Sequence, residues 1–298
     1  MKKTKIITIV GPTASGKTAL SITLAQRFSG EIISADSRQV YRGLDLGSGK
    51  ISREEMAGIP HHLLDVADPT TIVYTAQDFA TAARAAATAM IERGKVPIVV
   101  GGTFLYLEMF LGKMSAPAVP PNLPLRTELE TLTNPELYQK LALLDSARAE
   151  GIDKDNPRRL IRAIEIATAL GHVPNVQPEA LYNVLTIGLS LPKETLHSNI
   201  EKRLKLRLEA GMVTEVENLL ALGVSFERLE ALGLEYRYIT RYLKGEIDYE
   251  TMCTEILNKS KQFAKRQLTW LKRDDSINWF EPKNTEAIFS TVQPFLKD

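Results

Sequence analysis

The segment Gly11-Pro12-Thr13-Ala14-Ser15-Gly16-Lys17-Thr18 decides the fold of this 298-residue chain, because it fits the pattern G-x-x-x-x-G-K-[ST]. The run from Lys5 to Val10 just before it is β-branched and apolar, which predicts a strand buried on both faces. The residues after it place Leu20, Leu24 and Phe28 on one face of a helix. A strand, a glycine-containing loop and a helix in this order predict a phosphate-binding loop. The alternative is an ordinary strand-to-helix turn.

The residue types of this loop suit phosphate binding. Because Gly11 and Gly16 carry no side chains, successive backbone N–H groups are able to converge on phosphate oxygens at the positive end of the helix. Lys17 adds a point charge, and Thr18 offers a hydroxyl to a magnesium ion that takes its other ligands from water and phosphate. The loop predicts a di- or triphosphate ligand without deciding between a nucleotide such as ATP and another diphosphate. The residues expected to bind the phosphates are Gly11, Pro12, Thr13, Ala14, Ser15, Gly16, Lys17 and Thr18.

Composition narrows the class of protein. With 44% hydrophobic and 24% charged residues, the chain has the makeup of a globular protein and differs from collagen and from disordered chains. Cys253 is the single cysteine, and no early apolar run resembles the core of a secretory signal. No stretch approaches the roughly 18 apolar residues of a membrane span. These features predict a cytoplasmic protein with no membrane partner.

Charge is balanced overall but unevenly distributed. Lys and Arg total 37 against 36 Asp and Glu, so the net charge of +1 neither indicates nor excludes a nucleic-acid partner. The stretch from Lys259 to Arg273 holds six basic residues and no acidic one, and a second basic cluster lies at 154–162. Both clusters are candidate binding surfaces, and solvated helix faces are the alternative.

Asp36 follows the second predicted strand, Glu31 to Ser34, and so lies at the carboxyl edge of the predicted sheet beside the phosphate loop. Ligands of open α/β sheets bind at that edge. Three roles for Asp36 stay open at this point: a general base, a magnesium ligand, or the N-cap of the next turn.

A third buried strand is predicted from Val96 to Val100 and continues into Gly101-Gly102-Thr103. A P-loop NTPase of the switch type carries an acidic residue near the end of such a strand to hold magnesium, and none is present here. This absence weakens the ATPase interpretation. His61 and His62 have no acidic or cysteine partner at metal-ligand spacing, so we interpret them as loop residues.

The chain changes character after Gly112. Four prolines fall between Pro117 and Pro124, and polar helical stretches follow to about Gly171. Apolar alternation returns from Val184 to Leu191, as in a strand that rejoins the first sheet, and helical patterns follow. The sequence predicts an α/β fold: a P-loop NTPase-like parallel sheet flanked by helices, with core segments 1–112 and 184–298 and a small helical domain inserted at 113–183.

Five motifs in a fixed order carry a family resemblance. They are the loop at 11–18, Asp36-Ser37-Arg38-Gln39-Val40-Tyr41, Val100-Gly101-Gly102-Thr103, Asn156-Pro157-Arg158-Arg159-Leu160 and Ala264-Lys265-Arg266-Gln267-Leu268-Thr269-Trp270. Over residues 5–280 the chain resembles the tRNA dimethylallyltransferases. The resemblance implies that the loop holds dimethylallyl diphosphate and that the dimethylallyl group passes to N6 of adenosine 37 in tRNAs reading codons that start with U, releasing diphosphate.

The resemblance also implies roles for particular residues. It makes Asp36, Lys17, Thr18 and Arg203 catalytic, with Arg207 one turn later as a substitute for Arg203 and Mg²⁺ at Thr18. Asp36 takes the proton of the attacking amine, and the amide of Gln39 has the geometry to read an adenine edge. The expected tRNA-binding residues are Asp36, Ser37, Arg38, Gln39, Thr103, Arg126, Arg158, Arg159, Leu160, Ile161, Arg162, Gln262, Lys265 and Arg266.

The chain departs from the family pattern at Gly47-Ser48-Gly49-Lys50, where the family usually has Gly-Thr-Ala-Lys, and the extra glycine is expected to loosen the turn. Three other functions stay open: a prenyltransferase acting on a free adenine nucleotide, a P-loop small-molecule kinase, and a nucleotide-gated RNA-binding module without chemistry. The inserted domain and the basic stretch favour tRNA, bound through its anticodon stem-loop. We expect a monomer.

Overall fold

The computed structural model describes residues 3–70 and 73–297, which form two compact units. The first unit lies within residues 1–112 and 180–298, and the second spans Lys113–Glu179. The sequence extended the insert to residue 183, but Asn183 begins a strand of the first unit. None of the helices in the described part of the chain has the length and apolar character needed to span a bilayer.

A single six-stranded sheet, with every pairing parallel, organises the first unit. The strands are β1 (Lys5–Val10), β2 (Gly30–Ser34), β3 (His61–His62), β4 (Val96–Val100), β5 (Asn183–Leu189) and β6 (Asn278–Phe280). Their spatial order is β3-β2-β4-β1-β5-β6, so β1 lies between β4 and β5. The predicted fold class is confirmed: a parallel sheet flanked by helices, of the P-loop NTPase-like type.

Alternate residues of the central strands pack on opposite faces of the sheet, as the two-residue period of a strand requires. Ile6 and Ile33 belong to one apolar cluster, whereas Ile7 and Ile32 belong to another. The helices of this unit are α1 (Lys17–Arg27), α2 (Ala76–Glu92), α3 (Phe104–Leu111), α8 (Lys193–Glu209), α9 (Met212–Ala221), α10 (Phe226–Leu232), α11 (Leu234–Leu243), α12 (Tyr249–Leu271) and α13 (Thr285–Lys297). Helices therefore cover both faces, and the carboxyl edge stays open for a site.

The interpretation of His61 and His62 as loop residues is wrong. They form the short strand β3 at the sheet margin, in register with Ile32 and Ile33. His62 is held by Glu31, whose Oε2 lies 2.8 Å from Nε2 of the histidine. A two-residue strand is too short to produce a periodic pattern, so only the pairing with β2 reveals it.

The second unit is a small helical domain with its own core. Its helices are α4 (Leu123–Leu129), α5 (Asn134–Leu144), α6 (Ser146–Glu150) and α7 (Pro157–Leu170). Leu129, Leu137, Leu141 and Leu160 are fully buried in one apolar cluster. The Asn156 side chain caps α7 by accepting the Arg159 N–H, and Pro157 follows at the first helical position, where a missing N–H costs nothing.

Candidate active site and RNA-binding faces

The phosphate loop joins the end of β1 to the start of α1 in a conformation that its glycines make possible. Gly16 has φ +91° and Ala14 has φ +60°, both in the left-handed region. A Cβ at Gly11 would lie 2.7 Å from the Leu189 carbonyl oxygen, so the loop approaches β5 closely there. Lys17 Nζ donates to the carbonyls of Gly11 (3.0 Å) and Pro12 (2.7 Å) and so closes the loop on itself.

Two hydroxyls in the loop have no hydrogen-bond partner among the described residues. Ser15 Oγ is completely buried, and a buried polar atom without a partner is costly unless a ligand satisfies it. The second is Thr18, an exposed residue at the start of α1. Within 3–70 and 73–297, no three acidic, histidine or cysteine side chains are grouped so that they could hold a metal ion. A metal ion at Thr18 would therefore take most of its ligands from phosphate and water, which is the coordination that Mg²⁺ favours.

Helix α8 contributes a guanidinium to the loop. Arg203 Nη2 donates to the Thr13 hydroxyl, and Asn199 Nδ2 donates to the Ala14 carbonyl at 3.3 Å. Burial, together with the neighbouring Arg207, lowers the pKa of Arg203 to about 10, so Arg203 stays cationic at neutral pH. The catalytic role of Arg203 stays a prediction. Its contact with the phosphate loop is observed, because the fold places α8 beside Thr13 and Ala14.

Lys17 carries the strongest electrostatic perturbation of the loop. Burial lowers its pKa, the nearby Arg203 charge lowers it further, and Asp36 raises it, with a resulting pKa of about 7. A lysine with this pKa is protonated in about half of the molecules at neutral pH. An anionic ligand would restore the charged form, because an opposite charge nearby favours it.

Asp36 is the cap of a turn and also faces the loop. Its Oδ1 accepts the N–H groups of Arg38 (2.8 Å) and Gln39 (3.3 Å), as an N-cap carboxylate does. The second oxygen, Oδ2, accepts no hydrogen bond from the described residues. Asp36 contributes to the pKa values of Lys17 and Arg203, so it lies within electrostatic reach of both cations.

The two glycines after β4 bring Thr103 to the Asp36 turn. A Cβ at Gly101 would lie 2.1 Å from the Ala35 carbonyl oxygen, which leaves room only for glycine. Thr103 Oγ1 accepts the Ser37 N–H at 3.1 Å. The ends of β2 and β4 are thereby joined, and the predicted residues Asp36, Ser37 and Thr103 lie together at one edge of the sheet.

Arg38 and Gln39 have different surroundings. Burial lowers the pKa of the Arg38 guanidinium, and Asp36 raises it. The Gln39 amide is already bonded on both sides, because Oε1 accepts the Ser34 hydroxyl at 2.8 Å and Nε2 donates to the Gly49 carbonyl at 3.1 Å. Gln39 thus holds the turn, and its amide keeps one further N–H and one further lone pair. Its contact with an adenine edge stays a prediction.

The Gly47-Ser48-Gly49-Lys50 turn is held by several bonds despite its extra glycine. Glu215 accepts the N–H groups of residues 45, 46 and 47 at 3.0, 2.5 and 3.0 Å. A Cβ at Gly49 would lie 1.5 Å from Nη2 of Arg207. Nη1 of the same guanidinium lies 3.7 Å from Oε1 of Glu235. Sequence reasoning missed Glu215 and Glu235, since their partners are distant in the chain and no local pattern marks them.

Helix α12 presents a groove of about 450 Å³. The groove is lined by Gln262, Lys265, Arg266, Thr269, Trp270 and Arg273. Trp270 stacks on Phe104 with ring centroids 4.4 Å apart and planes 5° from parallel. Gln262, Lys265 and Arg266 are exposed, and none forms an ion pair within the described residues. These three predicted tRNA-binding residues therefore share an open, cationic face.

The predicted tRNA-binding residues of the second unit fall into three groups. Arg158 and Arg159 are exposed at the start of α7. Arg126 and Arg162 instead bond Glu165, whose side chain is fully buried; the Arg126 Nε to Oε1 distance is 2.8 Å. Leu160 and Ile161 lie in the core of the unit, so their side chains support the arginines beside them.

Comparison with known proteins identifies relatives over nearly the whole chain. A family model described as IPP transferase matches residues 39–274. A tRNA dimethylallyltransferase from Exiguobacterium sp. is 42% identical over 287 residues, which cover 94% of this chain and 91% of that protein. The tRNA dimethylallyltransferase 2 of Citrifermentans bemidjiense is 44% identical over 297 residues, covering 98% and 95%.

Two solved structures have the same fold over almost the entire chain. The full-length tRNA isopentenylpyrophosphate transferase of Bacillus halodurans superposes with a TM-score of 0.75 at 34% identity, covering 99% of this chain and 97% of that one. A eukaryotic dimethylallyltransferase acting on tRNA gives a TM-score of 0.85 at 26% identity, covering 99% and 80%.

Proposed function

The chain belongs to the IPP transferase family of tRNA-prenylating enzymes, and from that premise we propose that it moves the dimethylallyl group of dimethylallyl diphosphate onto N6 of adenosine 37 in the tRNA anticodon loop. Its substrates are tRNAs that read codons beginning with U, and diphosphate is released. We propose that it acts in the cytoplasm as a monomer, with its own loop, lysine and arginine around the diphosphate.

One observation carries this proposal. The phosphate loop with its unsatisfied Ser15 hydroxyl, the Arg203 guanidinium and the Asp36 carboxylate lie at the same edge of one sheet. The cations and loop amides suit a diphosphate, and the carboxylate suits the acceptance of a proton. The ends of β1 and β2 thus combine groups for departure of a diphosphate with a base for an attacking amine.

Stabilisation of the leaving group is the main task of the loop. Carbon 1 of an allylic diphosphate loses its oxygen readily, because developing positive charge spreads over the allyl system. The negative charge that grows on the departing diphosphate is met by Lys17, Arg203 and the loop N–H groups. A magnesium ion bound to the Thr18 hydroxyl and the diphosphate oxygens would neutralise part of that charge.

Asp36 accepts the proton of the adenine amine. The lone pair of that amine is delocalised into the ring, so a carboxylate that takes the proton assists the attack. The bond between N6 and carbon 1 forms as the bond from carbon 1 to oxygen breaks, and the proton passes to Asp36. Because Oδ1 already accepts two backbone N–H groups, Oδ2 is the oxygen that receives it.

The target adenine must leave its stack to reach this edge of the sheet. A base stacked in the anticodon loop does not reach a buried diphosphate, so the nucleotide is flipped outward. Thr103, Ser37 and Arg38 line the edge beside Asp36 and are suited to contact the flipped nucleotide. Gln39 supports this turn through its bonds to Ser34 and Gly49.

Exposed cations on each unit provide tRNA backbone contacts. In the first unit these are Lys265 and Arg266 with Gln262, and in the second they are Arg158 and Arg159. Single-stranded RNA is bound by phosphate contacts together with stacking against exposed bases, and these side chains supply the former. Arg126 and Arg162 act indirectly, by fixing α4 and α7 to Glu165.

The function is tested by incubating the protein with tRNA, dimethylallyl diphosphate and MgCl₂, and analysing the nucleosides by mass spectrometry. We expect N6-dimethylallyladenosine from tRNA and none from a matched tRNA carrying guanosine 37. Prenylation of free AMP in preference to tRNA would instead assign a free-nucleotide prenyltransferase. In a parallel melting experiment, pyrophosphate with MgCl₂ raises Tm more than ATP does at equal concentration. Rapid tRNA-independent ATP hydrolysis would overturn the proposal.

A further inference from the structure

Gln267 is a polar residue of the predicted α12 motif that turns inward. Its neighbours Lys265 and Arg266 are exposed, whereas Gln267 is 4% exposed. Its Oε1 accepts the Thr13 N–H at 2.8 Å, and its Nε2 donates to the Gly102 carbonyl at 3.3 Å. A single amide therefore connects the phosphate loop to the turn that carries Thr103.

Thr13 is held from two helices at once. Gln267 of α12 bonds its main-chain N–H, and Arg203 of α8 donates to its side-chain hydroxyl. The Thr13 N–H therefore donates to Gln267, and the N–H groups farther along the loop remain for phosphate. Displacing the main chain of Thr13 would displace the hydroxyl on which the Arg203 guanidinium rests.

The amide of Gln267 also packs closely against Gly102. A Cβ at Gly102 would lie 2.4 Å from Nε2 of Gln267. Any larger residue at this position would therefore displace the Gln267 amide. The side chain at 267 must accept from an N–H and donate to a carbonyl simultaneously. Glutamine does both without charge, whereas a carboxylate only accepts and an apolar chain does neither.

We propose that Gln267 is a positioning residue for the reaction: it sets the phosphate loop, through Thr13 and Arg203, in register with the Gly102–Thr103 turn. The proposal rests on the proposed function, which assigns the diphosphate to the phosphate loop and the target nucleotide to the Gly102–Thr103 turn. Its role is indirect, since Gln267 acts on the diphosphate through Thr13 and Arg203. Without this bond the Thr13 N–H would lose its partner, and both the phosphate loop and the Arg203 contact would be held less firmly.

The direct test is calorimetric titration of the full chain with inorganic pyrophosphate and MgCl₂. Gln267→Met keeps the approximate side-chain volume and removes both hydrogen bonds, and we expect Kd to rise roughly tenfold, the equivalent of about one buried hydrogen bond. In prenyl transfer its kcat falls more than its KM for tRNA rises, because Arg203 is misplaced while the exposed cations are not. Asn258→Leu, at an exposed amide of the same helix that belongs to no proposed binding face, is the matched control and leaves the pyrophosphate Kd unchanged.

A second variant supplies a pH signature that simple packing does not. In Gln267→Glu the ionised carboxylate accepts from Thr13 but repels the Gly102 carbonyl, whereas the protonated form accepts and donates as the amide does. Burial raises the pKa of such a carboxyl group. The pyrophosphate Kd of this variant, divided by that of the unchanged protein, therefore falls towards one as pH is lowered.

Gly102→Ala perturbs the same bridge from the opposite side. Its Cβ displaces the amide, so it should weaken pyrophosphate binding, and combining it with Gln267→Met should add little because the same contact is lost once. If Gln267→Met does not fold, Gly102→Ala and Gln267→Glu still carry the test. A pyrophosphate Kd within twofold of the original in folded variants would reduce Gln267 to a packing residue. Tighter binding would show that Gln267 competes with the ligand for the Thr13 N–H. Either result overturns the proposal.

These titrations contain neither tRNA nor prenyl donor, so their outcome is separable from the proposed function. If the unchanged protein failed to prenylate tRNA while its pyrophosphate affinity still depended on Gln267, only the proposed function would be overturned.

Discussion

Lys17 makes diphosphate binding dependent on pH near neutrality. Its pKa is about 7 in the ligand-free protein, lowered first by burial and then by Arg203. Only the protonated amine attracts an anion, and a bound diphosphate raises the pKa again because opposite charges favour the charged form. Binding at pH 7 should therefore draw about half a proton onto Lys17.

The magnitude follows from the protonated fraction. Between pH 6 and pH 8 this fraction falls from about 0.9 to about 0.09 for a group of pKa near 7, so Kd for pyrophosphate rises about tenfold over that interval. Pyrophosphate and its magnesium complex have pH dependences of their own. The matched control is Lys17→Arg, whose guanidinium stays charged throughout and reports those contributions alone.

The assay is isothermal titration calorimetry with pyrophosphate and MgCl₂ at three pH values, repeated in buffers of different ionisation enthalpy to count protons. The difference between the unchanged protein and Lys17→Arg isolates Lys17. Equal proton uptake in both proteins, together with parallel pH profiles of Kd, would refute the reasoning. It would mean that Lys17 is fully charged before the ligand arrives.

Three further predictions concern separate parts of the molecule. Asp36→Ala should lower kcat by about two to four powers of ten at nearly unchanged tRNA affinity, checked by single-turnover kinetics and filter binding; a variant with most of its kcat would remove Asp36 from the mechanism. Arg158→Ala and Lys265→Ala should each raise KM for tRNA with little change in kcat, and each should flatten the slope of log Kd against log salt by about 0.7 to 0.9. An unaltered slope would mark that side chain as solvated surface. Glu165→Gln should destabilise the protein by roughly 2 kcal/mol in urea unfolding, because the buried carboxylate bonds Arg126 twice. The Arg126 bond helps to lower the pKa of Glu165 against burial, so its stabilisation is present above the unfolded-state pKa and is lost as pH falls through the folded-state value. An unchanged urea midpoint would contradict this assignment.

Much of the fold was predictable from local sequence. The strand Lys5–Val10, the glycine loop and the helix after it were predicted with the bounds of the first strand correct to the residue. Thr75 and Asp78 also have the sequence pattern of a capping box, and the structure has this box at the start of α2. Such patterns can be recognised in the sequence because hydrophobic periodicity, helix caps and glycine torsions each depend on residues only a few positions apart.

The strand ends were also sufficient to bring Asp36 and Thr103 to one edge. Parallel strands share a carboxyl edge, so residues that follow two neighbouring strands meet there whatever the helices do. The observed contact of Thr103 with Ser37 is the consequence of that rule. The chemical roles of these residues remain predictions, as does tRNA binding by the inserted helices.

The family resemblance already named Arg203, but only the tertiary structure decided which partners the side chains of the site have. Gln267 reaches the Thr13 N–H across 254 residues, and Arg203 reaches the Thr13 hydroxyl across 190. The sequence interpretation placed Gln267 in a basic helical stretch without a role, because its inward direction depends on how α12 packs. The same holds for Glu165, whose burial converts Arg126 from an apparent surface cation into a structural partner. Local pattern specifies elements and their ends, whereas the pairing of distant side chains depends on packing between elements, which no window of sequence contains.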